Sequence, residues 1–315
     1  MKRVLAGGLL CVLLLCLGCA RPQTPLLFAP LDTPVPPAMS APPQPSPSPS
    51  PVLTPTPSPS PTPMIGDAWY AVRTEQMRTQ MRRYGQYPSE EAIEAQLALW
   101  EIDPTRPMIA LTFDDGPVPG ITDRILDILA RYNLRATFFV KGIHVEKGTD
   151  ILRRAVAQGC EIGNHTWNHK ILTDLSVQSI CSQINKTNEA IYAAVGVETH
   201  ILRPPGGSCN GYVYTAAKRC DMAVVRWSQS GNVKLTDPAE IAATVMLQKV
   251  NGKALQDGDI VLLHDTHEYM IEAVELMIPM ILAEGYQFVT VTEILMLSER
   301  GLVYGERYDS RYSEH

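Results

Sequence analysis

The chain has 315 residues, 45% of them hydrophobic, which is enough for one large folded domain with appendages. Its net charge of -6 and pI near 5.7 argue against a nucleic-acid polyanion as the main partner. Acidic residues slightly outnumber basic ones without any long block of one sign, so charge excludes little else.

Lys2 and Arg3 precede an apolar run, Val4 to Leu17, too short to span a bilayer and suited to the core of a signal peptide. Residues 1–19 are therefore expected to direct export. Leu17-Gly18-Cys19-Ala20 resembles a bacterial lipoprotein signal, which implies cleavage before Cys19 and lipid on its thiol. Cys16 stands where such signals usually carry an aliphatic residue. The alternatives are ordinary secretory cleavage nearby or an uncleaved anchor. The expected location is the outer face of a bacterial cytoplasmic membrane, lipid-anchored, or otherwise the secreted fraction.

Residues 20–63 are dominated by Pro, Ser and Thr and cannot bury enough apolar area to offset chain entropy. They are expected to form a disordered tether, extended at about 3.1 Å per residue. Residues 64–103 read as a helical segment. Met77, Met81 and Tyr84 share one face, Gly85 to Pro88 breaks it, and Ser89 caps a second stretch carrying Ile93, Leu97 and Trp100.

Residues 104–298 form the candidate catalytic domain, with 299–315 as a C-terminal tail. Strand-like runs are Met108 to Phe113, Ala136 to Val140, Glu161 to Gly163, Ile201 to Arg203, Ala223 to Trp227, Asp259 to His264 and Gln287 to Val291. Helical patterns alternate with them at Ile121 to Tyr132, Asp150 to Gln158, Val177 to Ala194, Tyr212 to Arg219, Pro238 to Val250 and Glu268 to Ala283. This alternation predicts an α/β fold, a parallel sheet closing into a distorted (β/α) barrel of about seven strands. Catalytic residues would stand at the C-terminal ends of the strands. Beyond the signal region, Cys160, Cys181, Cys209 and Cys220 allow three disulfide connectivities or a reduced set.

The first strand ends in Asp114-Asp115-Gly116-Pro117. Successive strand residues point opposite ways, so one carboxylate can bind a metal while the other handles a proton. His165 and His169, four apart after the third strand, would share a face if that segment turns helically. With Asp115 they make a one-carboxylate, two-imidazole set with room for water, as in catalytic zinc sites. Arg203 could pair with Asp114 and hold it ionised, and Gly206 and Gly207 let backbone N–H groups approach an anion. His264, ending the sixth strand, could give a proton to a leaving amine. No His-Glu-x-x-His occurs, so a metalloprotease lacks support.

These stretches, Thr112 to Pro117, His165-Thr166-x-x-His169, Arg203-Pro204-Pro205-x-Gly207 and Leu262-Leu263-His264-Asp265, resemble in order and spacing the polysaccharide deacetylases of the NodB-homology group, carbohydrate esterase family four. The resemblance spans about Thr105 to Leu297. It implies Asp114 as base, Asp115, His165 and His169 as metal ligands, Arg203 as the residue fixing the base, and His264 as acid. Gly206, Pro205, Trp227 and Leu262 would contact the oxyanion or substrate. The implied cofactor is one divalent ion, with zinc expected first and cobalt, manganese or nickel as alternatives. Two departures stand out: Gly206 replaces an aromatic residue, and Trp227 to Asn232 lacks the aspartate expected after Trp, leaving Ser230 or Asn232 in its place.

The implied reaction removes N-acetyl groups from an amino-sugar polymer. With a tethered membrane anchor the expected substrate is peptidoglycan N-acetylglucosamine or N-acetylmuramic acid, with chitin oligosaccharides or acetylxylan as alternatives. A sugar-binding barrel without turnover is the alternative of a different class. The expected partners are the N-acetylated glycan and, through the lipid or signal segment, a membrane. No protein partner and no nucleic acid are indicated.

Overall fold

The computed structural model describes residues 102–103, 105–231, 234–247, 254–298 and 301–312. The signal segment, the tether and the helical segment before Ile102 lie outside the described residues. Among those described, no helix is long and apolar enough to cross a membrane.

Strand β1 (Met108–Asp114) is buried along its whole length, five of its seven residues apolar, as expected of a strand inside a parallel sheet. It is followed by α1 (Thr122–Arg131), β2 (Thr137–Val140), the single turn α2 (Gly142–Val145), α3 (Thr149–Ala157) and β3 (Glu161–Asn164). The second half runs α4 (Val177–Val195), β4 (Ile201–Leu202), α5 (Gly211–Arg219), β5 (Ala223–Val225), β6 (Gln229–Ser230) and α6 (Pro238–Leu247). It closes with β7 (Ile260–His264), α7 (Tyr269–Ala283), β8 (Gln287–Phe288), α8 (Val291–Met296) and β9 (Arg307–Tyr308). The sheet order is β6-β7-β1-β2-β3-β4-β5-β9, with β8 on β1, and these strand pairs are parallel.

The side-chain period of two divides the strands between two cores. Ile109, Leu111, Phe113, Phe138, Val261 and Leu263 pack outward against α1, α3 and α7. Met108, Ala110, Phe139, Ile201, Ala223, Val225, Ile260 and Tyr308 meet in one inner cluster. Residues of β7 and β9 thus share an interior, and an antiparallel bridge from Asp259 to Ser310 draws these parts of the sheet together into a curled barrel.

Among the described residues the expected parallel α/β barrel is present, and its sheet holds the seven expected strands and two more. Two short ones escaped the pattern: β6, a pair of polar residues, and β9, inside the segment set apart as a tail. The expected strand Gln287 to Val291 stops at Phe288, because Thr290 and Glu293 form a reciprocal capping box that starts α8. The four cysteines after residue 101 are free thiols.

Tyr308 is 2% exposed, and its hydroxyl donates to the Gly301 carbonyl at 2.7 Å. Arg311 Nε donates to the Leu297 carbonyl at 2.8 Å. Tyr308→Ala should therefore cost about 3–5 kcal/mol and lower Tm by about 10 °C in thermal unfolding. A segment outside the fold would leave Tm unchanged.

Candidate metal and hydrolytic site

The parallel strands deliver their C-terminal residues to one end of the barrel. Asp114, the last residue of β1, lies in register with His264, the last of β7. Beyond β1 the backbone of Asp115 turns left-handed, with φ 78°. The two carboxylates therefore diverge less than the strand pleat predicts, and both face one imidazole. His165 Nε2 lies 3.7 Å from Asp114 Oδ2 and 3.7 Å from Asp115 Oδ1.

The segment holding His165 and His169 is not helical. Asn164 Oδ1 accepts from the Thr166 backbone N–H at 2.7 Å, a local bond that competes with helix formation, and Thr166 and His169 have φ of 68° and 60°. Helix α4 braces this loop. Gln183 Oε1 accepts from Trp167 N–H at 3.0 Å, and Asn164 Nδ2 donates to Asn188 Oδ1 at 2.6 Å. The loop returns His169 Nε2 to 3.5 Å from Asp115 Oδ1.

The donor set fits a divalent ion. Asp115 Oδ1 and one ring nitrogen each of His165 and His169 lie within 4.8 Å of one another, and that Oδ1 is buried without a hydrogen-bond partner. Bonds of about 2.1 Å to a tetrahedral ion set ligand atoms about 3.4 Å apart, close to the separations from Asp115. His165 Nδ1 lies 2.7 Å from the Arg203 carbonyl. A carbonyl only accepts, so Nδ1 carries the proton and Nε2 keeps its lone pair. Burial lowers the pKa of His165 and favours the neutral ring a ligand requires. Burial alone would raise Asp115, but the fields of His165, Lys141, His169 and His264 outweigh it and hold the carboxyl below its usual range. Lys141 Nζ stands 3.5 Å from Asp115 Oδ1.

Arg203 is fully buried. Its NH1 donates to Asp114 Oδ1 at 2.8 Å and to Thr112 Oγ1 at 2.6 Å, and NH2 to the Arg226 carbonyl at 2.8 Å. The guanidinium stands 4.1 Å from the Phe139 ring centroid and 5.9 Å from that of Trp227. Trp227 covers Gly207, where a Cβ would stand 2.8 Å from the indole. Pro205 is buried in the short 3-10 turn Pro205–Gly207, while Gly206 lies exposed beside Ile171. A cleft of about 240 Å³ between β7 and α7 is lined by Asp115, Ser230, Leu262, His264, Tyr269 and Met270. Asn232 lies outside the described residues, so of the two suggested stand-ins only Ser230 is placed, in the wall beside His264.

The sequence reading gave Asp265 no role. The structure buries it at 1% exposure against Gly116, where a Cβ would stand 2.0 Å from its Oδ2. Thr122 Oγ1 donates to Oδ2 at 2.6 Å, and Oδ1 is buried without a partner. Its signal was its place after His264, but adjacency alone did not say what it would touch. Thr112, Asn164 and Lys141 were equally unmarked as single residues.

Burial pushes Asp265 up to about 7, with Asp114 and Asp115 adding to the rise. Folding therefore takes up a proton here between pH 3.8, its ordinary value, and about 7. Stability from this group is full below that window and lost as pH rises through it. Asp265→Asn should flatten this part of the pH–stability curve measured by urea unfolding. Removing the cation beside Asp114 tests the neighbouring pair. Arg203→Met should cost about 3–5 kcal/mol by stranding a buried carboxylate, and Asp114→Asn in the same chain should recover much of it.

Residues 101–225 match the polysaccharide deacetylase family. The chain is 35% identical over 208 residues to the peptidoglycan-N-acetylglucosamine deacetylase PgdA of Listeria monocytogenes, covering 66% of this chain and 43% of that protein. It thus spans less than half the length of that relative. It is 35% identical over 201 residues to a peptidoglycan-N-acetylglucosamine deacetylase of Bacillus cereus, covering 62% of this chain and 92% of that protein. Among solved structures, a family 4 acetyl xylan esterase from Clostridium thermocellum in complex with a cobalt ion superposes with TM-score 0.57 at 32% identity, covering 64% of this chain and 98% of that one. With a relative 35% identical along 92% of its length and the family match over residues 101–225, this chain belongs to the polysaccharide deacetylase family.

Proposed function

We propose that this chain is a metal-dependent N-deacetylase acting on the amino sugars of peptidoglycan and releasing acetate. The observation that carries the reading is the juxtaposition of Asp114, locked to Arg203 at 2.8 Å, with the Asp115, His165 and His169 triad. A divalent ion held by that triad, zinc in our reading, supplies Lewis-acid activation of water and of the acetyl carbonyl when bound. Asp114, paired with Arg203, accepts the proton of the attacking water. The Gly206 backbone N–H stabilises charge on the carbonyl oxygen. His264, in register with Asp114 on the neighbouring strand β7, donates a proton to the amine as the C–N bond breaks. The products balance as acetate and a free amino group.

The substrate assignment draws on the peptidoglycan deacetylases among its relatives and on the expected tether. A lipid on Cys19 would hold the domain at the outer face of the cytoplasmic membrane, and residues 20–63 would let it reach the wall. Acetylated xylan is the second reading, favoured by the Clostridium thermocellum neighbour. A binding barrel without turnover is disfavoured, because the residues read as base, ligands and acid are all present.

Acetate release from an N-acetylglucosamine oligomer and from peptidoglycan fragments, with chelator and after zinc return, tests the reading. Zinc should restore the chelated activity. Asp114→Asn and His264→Ala should each lower kcat by about 10²-fold or more with small changes in KM. Unchanged release under chelator, or release only from acetylxylan, overturns the reading.

A further inference from the structure

Cys181 lies in the second turn of α4, and Cys220 caps the C-terminus of α5. Both meet at one carbonyl. Cys181 Sγ lies 3.9 Å from the Ala216 oxygen, and the Cys220 backbone N–H donates to the same oxygen at 3.0 Å. Both side chains pack against the cluster of Ile180, Ile184, Ala216, Ala217 and Met222, and the Cys181 thiol is near enough to raise the pKa of Cys220. Cys160 is buried, packed in the other, outer core, and Cys209 bonds instead to the Gly207 carbonyl and to Tyr214. Among the described cysteines, one pair therefore stands side by side, and it joins α4 to α5.

We propose that Cys181 and Cys220 form an intramolecular disulfide under oxidising conditions, and that this bond clamps the helix holding the metal-ligand loop. The coupling is structural. Gln183, two residues after Cys181, holds the Trp167 and Asn168 amides, and Asn188 holds Asn164. Fixing α4 to α5 restrains the strut against which His165 and His169 are positioned. The step is a thiol–disulfide exchange with a disulfide oxidant such as oxidised glutathione. One thiolate attacks the oxidant and expels a thiol. The second cysteine then loses its proton, displaces the mixed disulfide and expels the other thiol. Two electrons and two protons pass to the oxidant. Burial and the Cys181 thiol push Cys220 up to about 12, so Cys220 stays protonated at neutral pH. Both residues are half-buried, within reach of a small oxidant.

The test uses the full chain, equilibrated with reduced or oxidised glutathione, then digested without reduction and mapped by mass spectrometry. The expected product is a peptide pair joined through Cys181 and Cys220, lighter by two hydrogens. Oxidation should raise Tm by about 5 °C and slow amide exchange across residues 165–169, and neither change should occur in Cys181→Ser or Cys220→Ser. Cys209→Ser should behave as the parent does. Unmodified thiols at Cys181 and Cys220 after oxidation, or a link from either to another cysteine, overturns the pairing. A Cys181–Cys220 bond that leaves exchange at 165–169 unchanged overturns the clamp.

Discussion

A guanidinium with no exposed surface is costly to bury, and Arg203 is tolerated only because partners surround it. It meets the Asp114 carboxylate, the Thr112 hydroxyl and the Arg226 carbonyl, and lies over the Phe139 ring. These partners come from β1, β2 and the end of β5, so the arginine ties together strands distant in sequence. The same contact sets the chemistry. Asp114 is almost fully buried, and the Arg203 guanidinium at 2.8 Å is its charge partner there. Burial lowers the pKa of Arg203 while Asp114 opposes that fall, and an arginine keeps its proton throughout.

Around this pair, backbone conformation does what regular secondary structure cannot. Asp115, Thr166 and His169 all have positive φ, unusual for residues with side chains and costly unless the surroundings enforce it. The enforcement is visible for the histidine loop, in the bonds from Asn164 and from Gln183 on α4. For the Asp115 turn it comes from Asp265, pressed against Gly116 and held by Thr122 at the start of α1. Helices outside the barrel thus serve the site by bracing loops.

Much of this was legible in the sequence. The buried run Met108 to Phe113 and the strand-helix alternation follow from periodicity, while charge offered the pairing of Arg203 with Asp114 as one option and the family resemblance selected it. Residues 165–169 were not, because a four-residue histidine spacing suits a helix as well as a loop, and the deciding bond comes from Asn164. Strands β6 and β9 were hidden because two-residue strands have no period; neighbouring ladders place them. Asp265 was hidden for another reason. Its carboxylate matters through contacts with Gly116 and Thr122, about 150 residues earlier in the chain. The cysteines show the same limit, since sequence allowed three pairings and packing brings Cys181 beside Cys220.

The central claim is that Asp115, His165 and His169 are the ligands of one divalent ion while His264 is not. Zinc affinity of the metal-stripped protein, measured by competition with a chelating dye, addresses it directly. The account predicts one site per chain, weakened about 100-fold or more in His165→Ala and His169→Ala and changed less than about threefold in His264→Ala. Equal affinity in all four proteins, or a loss in His264→Ala alone, would contradict it.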